Sequence, residues 1–142
     1  MVKKGYEGVI IKNKAFTLIE LVLVTSLIVI LAGIALPNYF HAMERVKGKG
    51  ARSILKVMRA AEKSYSSESR IFTDLAINVD SDWASIGLEN PNNNTNKVFS
   101  YSLTTTALGT GFTATATRIG GSNNGETITL TENGVWGGDW TI

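Results

Sequence analysis

The stretch that decides the fold is Phe16-Thr17-Leu18-Ile19-Glu20-Leu21-Val22-Leu23-Val24-Thr25-Ser26-Leu27-Ile28-Val29-Ile30-Leu31-Ala32-Gly33-Ile34-Ala35-Leu36, closed by Pro37. These 21 residues carry one charge, Glu20. As an α-helix they would extend roughly 32 Å, at about 1.5 Å per residue, which matches a hydrocarbon core of about 30 Å. Only a helix satisfies its own backbone in lipid, so a membrane-spanning helix is expected. A secretory h-region is shorter, about 7–15 residues. A retained anchor is therefore expected, although Ala32, Gly33 and Ala35 imitate a signal-cleavage site. More than about 60 residues follow the stretch, and a portion that long crosses a membrane largely regardless of its charge. The expected orientation is N-terminus inside and the remainder outside.

Working outward, charge is unevenly placed. The first fifteen residues carry Lys3, Lys4, Lys12 and Lys14 against Glu7, so +3. From Arg45 to Lys63 seven basic residues stand against Glu62, so +6. From Ser64 onward there are three basic and eight acidic residues, so −5. A basic leader, a basic stem and an acidic head follow from this. There are no cysteines, which excludes a disulfide framework and thiolate metal sites.

Glu20 is the anomaly of the apolar run. A carboxylate in a membrane helix costs about 3 kcal/mol at the helix centre. Such groups are functional candidates and call for a partner. Near the start of the helix, the headgroup region and the helix dipole would also ease the charge.

The segment Lys14-Ala15-Phe16-Thr17-Leu18-Ile19-Glu20, with Pro37 ending the first apolar stretch, resembles the N-terminal signal of type IV pilins and type II secretion pseudopilins. The resemblance implies a leader over residues 1–15, cleaved between Ala15 and Phe16 by a prepilin peptidase, with methylation of the new Phe16 amine. Ala15 stands where the family usually has Gly. It implies that Glu20 meets the Phe16 amine of an adjacent subunit, so that Glu20 is an assembly residue. Buried opposite charges offset each other's desolvation, and such a pair would fix register. It implies as partners further copies of the chain and related minor pilins, the peptidase, an inner-membrane platform protein, an assembly ATPase and, in a double-membrane cell, a secretin. The implied location is the cytoplasmic (inner) membrane before assembly, then an extracellular pilus or a periplasmic pseudopilus.

Pro37 lacks an N–H and opposes the Gly33 carbonyl, so Gly33 to Pro37 is a candidate kink, with the helix otherwise intact in the isolated subunit. Beyond it, Tyr39, Met43, Val46, Ile54, Val57, Met58, Ala61 and Tyr65 recur at spacings compatible with one apolar face. Gly48 and Gly50 should make a flexible or bent stretch. Arg45, Lys49, Arg52, Lys56, Arg59 and Lys63 form a basic stripe roughly opposite that face. Three readings suit the stripe: a solvated face, a subunit contact with the acidic head of another copy, or anion binding. Without interleaved aromatic residues, nucleic acid is not expected.

The helix should fade around Ser66-Ser67-Glu68-Ser69, and Asn90-Pro91-Asn92-Asn93-Asn94 reads as a loop. Asp80, Asp82 and the asparagines offer the oxygen ligands calcium takes. The Asp-Pro-Trp-Gly-type motif of major pseudopilins is missing, so no cofactor or metal is expected. From Val98 the pattern turns to strands. Phe99, Tyr101 and Leu103 alternate with polar residues, Phe112, Ala114 and Ala116 with Thr, and Ile128 and Leu130 with Thr. Leu108-Gly109-Thr110-Gly111, residues 120–125 and Asn133-Gly134 supply turns. Three or four antiparallel strands in a meander are expected, one face on the stem helix and the Thr face to solvent.

The predicted fold is thus α+β: a leader (1–15), a transmembrane and polymerisation helix (16–36), an amphipathic stem helix (37–66), and a variable loop with a β-sheet head (67–142). The expected function is that of a filament subunit, with the pseudopilin and a monomeric membrane-anchored binding module as alternatives. An enzyme is not expected: His41 is the only histidine, and no nucleophile-elbow or phosphate-loop pattern is found.

Overall fold

The computed structural model describes residues 15–106 and 109–140. The leader up to residue 14, and Leu108 of one predicted turn, lie outside the described residues. The elements run α1 (Leu18–Ser69), α2 (Asp80–Ser85), a 3-10 turn (Pro91–Asn93), β1 (Phe99–Thr105), β2 (Phe112–Arg118), β3 (Thr127–Thr131) and β4 (Trp136–Gly137). The fold is α+β. Two compact units divide between Tyr39 and Phe40.

In the first unit, α1 is apolar and exposed throughout. It is long and apolar enough to cross a membrane. Two of its polar side chains are satisfied inside the helix: Thr25 donates to the Leu21 and Val22 carbonyls, and Ser26 to the Val22 carbonyl at 2.7 Å. Pro37 lies within the helix, which continues on both sides of it.

In the second unit, α1 packs on a four-stranded antiparallel meander in the order β1-β2-β3-β4. The registers pair Tyr101 with Ala116 and Ala116 with Ile128, then Leu103 with Ala114 and Ala114 with Leu130. All of these are buried with Phe99 and Phe112. The central strand contributes alanines to this layer, which leaves volume for Leu55 and Met58 of α1. On the other face Ser100, Thr117 and Thr127 align across the strands, as do Ser102, Thr115 and Thr129, and Thr104, Thr113 and Thr131. The expected alternation is present.

The face of α1 that meets the sheet differs from the expected one. The buried row is Gly48, Ala51, Leu55, Met58 and Glu62. Of the expected apolar face, Met58 is buried, Ile54, Ala61 and Tyr65 are half-buried, and Val46 and Val57 are 65% and 52% exposed. Tyr39 and Met43 are exposed as well. The buried row is turned about 100° from the expected one, toward the basic stripe, one residue's rotation on a helix. The helix runs without interruption through Gly48 and Gly50. A Cβ on Gly48 would lie 2.7 Å from Trp140 Nε1, so the glycine admits an indole. Trp140 also packs on Phe99, ring centroids 5.3 Å apart. The helix ends at Arg70, whose φ of 68° is the left-handed stop usually given to glycine.

Candidate functional site

The residues expected to serve processing and assembly belong to the first unit. Ala15, Phe16 and Thr17 are exposed and non-helical, and the helix begins at Leu18. The Ala15–Phe16 peptide bond is therefore outside the helix and accessible. Thr17 and Glu20 form a reciprocal cap. The Thr17 N–H and hydroxyl both donate to Glu20 Oε2 at 2.9 Å, and the Glu20 N–H donates to Thr17 Oγ1 at 3.3 Å. This is a capping box, which occupies helix N–H groups that have no intrahelical acceptor. Sequence reasoning missed it, although Thr-Leu-Ile-Glu ahead of an apolar run was its signal. The anomalous carboxylate is thus hydrogen-bonded within its own chain. Gly33 has open space around it, and Pro37 stands one turn later inside α1.

The basic stripe belongs to the second unit, and it does not behave as one set. It lies one residue's rotation from the buried row, not opposite it, so two members reach the sheet. Arg59 Nε donates to the Glu132 carbonyl at 3.0 Å. The Arg52 guanidinium stands 5.6 Å from the ring centroid of Trp136, which is 39% exposed. Arg45, Lys49, Lys56 and Lys63 are exposed and make no ion pair among the described residues.

Two acidic residues of the stem were not singled out by sequence. Glu44 accepts from Arg118 Nε and Arg118 NH2, both at 3.1 Å, and from Lys47 Nζ at 2.7 Å. Arg118 is 5% exposed and also donates to the Val98 and Ile119 carbonyls. The Arg118 hydrogen bond holds the Glu44 carboxyl below its ordinary range. Glu62 is buried on the sheet side of the same row. The spacing of Glu44, Gly48, Ala51, Leu55, Met58 and Glu62 puts them on one line, but two charges and a glycine hide that line from a hydrophobicity reading.

Asp80 and the asparagines hold one another. The Asp80 carboxylate accepts from the side-chain amides of Asn90 at 2.7 Å and Asn93 at 3.1 Å, and Asn90 Oδ1 accepts from Asn92. The Ala76 N–H donates to Asp82. Among the described residues no three acidic or histidine side chains gather as a metal site.

An exposed apolar helix opening on Thr17 and Glu20, with its later half carrying a small antiparallel sheet, is a pilin-like arrangement. The sequence agrees. Over 65 residues the chain is 43% identical to the type IV major pilin protein PilA of Myxococcus xanthus (strain DK1622), a match that takes in 46% of this chain. The matched part spans 30% of that relative's length. No family model matches the chain, and no solved structure matches it.

Proposed function

We propose that this chain is the structural subunit of a type IV pilus-like filament. A prepilin peptidase cuts between Ala15 and Phe16, the Phe16 amine is methylated, and the subunit polymerises through its N-terminal helix. The observation that carries the reading is the coincidence of Phe16 two residues ahead of one exposed apolar helix with Glu20 and Pro37 within it, in a chain similar to a major pilin. Before assembly the helix sits in the cytoplasmic membrane, N-terminus inside. Afterwards the exposed apolar side chains from Leu18 to Leu36 are covered by other copies, which removes them from lipid and water alike. Glu20 exchanges its Thr17 partner for the Phe16 amine of a neighbouring copy. The platform protein, the assembly ATPase and, with an outer membrane, a secretin would serve the extrusion. The subunit itself is structural and performs no chemistry.

Of the stripe, Arg45, Lys49, Lys56 and Lys63 are the members available to the acidic surface of another copy, because Arg52 and Arg59 are used within their own chain. The test is the intact mass of the chain recovered from a sheared cell-surface fraction. A product beginning at methylated Phe16 supports the reading. Full-length protein confined to membranes refutes it, and processed protein missing from the sheared fraction replaces the pilus with a periplasmic pseudopilus.

A further inference from the structure

Glu62 is 0% exposed, in the row of α1 that faces the sheet. Its Oε2 accepts one hydrogen bond, from the Thr73 N–H at 3.2 Å. Its Oε1 has no hydrogen-bond partner. Among the described residues no cation is ion-paired with it. A carboxylate sealed from water with a single N–H is costly when ionised, whereas the protonated acid is neutral.

The segment 70–75 that Glu62 holds has a second task. It leaves α1 at Arg70 and runs to Leu75, which exchanges both backbone hydrogen bonds with Leu103 of β1 at 3.0 Å. Asp74 Oδ1 accepts from the Thr105 N–H at 2.6 Å. Phe72 meets Phe112 edge-on, ring centroids 4.9 Å apart. One end of the segment is thus tied to the stem through Glu62, and the other covers the outer edge of β1.

We propose that Glu62 is a proton-operated latch: protonated, it holds residues 70–75 against the stem, and ionised, it admits water and releases them from the β1 edge. The charged groups to weigh stand on its own helix, on the segment and on the turn after β3. On its own helix are Arg59, committed to the Glu132 carbonyl, and Lys63, exposed to solvent. From the segment comes Asp74, a like charge that opposes ionisation. On the turn after β3, Glu132 has its carboxylate accepting from the Phe112 N–H. None of these neutralises an ionised Glu62.

Burial pushes the Glu62 carboxyl up to about 7; the Thr73 hydrogen bond opposes the shift and the Asp74 charge adds to it. With the folded value above the ordinary 4.5, the closed segment binds a proton that the open one releases. Closure is therefore strongest below about pH 4.5, weakens about tenfold per pH unit, and loses this contribution as pH rises through about 7.

The experiment is hydrogen exchange of the full chain in detergent micelles from pH 5 to 8, read on peptides covering residues 70–75. After correction for the base-catalysed intrinsic rate, protection should fall about tenfold per pH unit up to about pH 7 and then level. Glu62→Gln, which cannot ionise, should be flat across the same range. A flat wild-type profile overturns the latch, and so does a Glu62→Gln profile that falls as the wild type does. Should that variant not fold, the side-chain carboxyl signal of Glu62 in the wild-type chain decides. A midpoint near 7 upholds the latch and one near 4.5 overturns it.

Discussion

Single side chains decide how the stem and sheet fit. Gly48 is the place where the indole of Trp140 comes down on the helix, and a Cβ there would lie 2.7 Å from Nε1. Gly48→Val should displace Trp140 and cost about 2 kcal/mol through overpacking. Thermal unfolding followed by tryptophan fluorescence reads both effects. Gly50, two residues on, has open space, so Gly50→Ala should leave the melting curve unmoved or raise it by up to about 1 kcal/mol from helix propensity. Sequence alone could not separate these two glycines, because the difference is made by Trp140, far along the chain. The Glu44–Arg118 pair is similar. Removing the carboxylate leaves a buried guanidinium, and Glu44→Ala should cost about 3 kcal/mol in denaturant unfolding. Its pH dependence runs opposite to that of Glu62. Glu44 has its carboxyl held down by Arg118, so its contribution is present above about pH 4.5 and is lost as pH falls below that. Acid unfolding should therefore be shallower in Glu44→Gln than in the wild type.

At the scale of the elements, the strands were legible and the helix face was not. Alternation of Thr with Phe, Ala, Ile and Leu needs only a period of two, and three strands repeat it. The Asn133-Gly134 turn was also readable, since Gly134 takes a φ of 84° between β3 and β4. The helix needed a choice among faces, and Val46 and Val57 pulled that choice away from Ala51 and Leu55. Those valines are exposed because the sheet's own alanine row and the Arg118–Glu44 pair select the neighbouring face. The short helix α2, which buries Trp83, had too few residues to show a period. The asparagine run reads as a loop, yet Asn92 acts as a piece of strand. Its side chain accepts from the Tyr101 N–H at 2.8 Å and donates to the Tyr101 carbonyl at 2.9 Å. Asn92→Ala should leave both groups unpaired and cost about 2–3 kcal/mol. Chemical denaturation measures the loss, and faster aggregation of the variant in light scattering would report the bared edge.

For the whole molecule the prediction concerns assembly. Glu20→Ala should leave a folded subunit in the membrane, with the filament yield in the sheared fraction strongly reduced. A normal yield from this variant would refute the pairing of Glu20 with the Phe16 amine. Reversing Lys56 and Lys63 to Glu should lower that yield and make it more sensitive to salt, since these two side chains are exposed. Unchanged assembly would return the stripe to a solvated face. Reversing Arg52 and Arg59 is a different experiment, because it would disturb the contacts with Trp136 and Glu132 first.

The sealing of β1 has a further meaning under the proposed assembly of the chain with copies of itself. Leu75, Asn92 and Asp74 together occupy the outward hydrogen-bonding groups of Leu103 and Tyr101 and the Thr105 N–H. At the other edge β4 offers two residues. In the language of polymer chemistry, the sheet has little functionality: it adds almost no reactive ends to a monomer proposed to grow through its helix. Low functionality is what separates linear growth from branching and gelation. The asparagine-rich loop would thereby keep the product a thread.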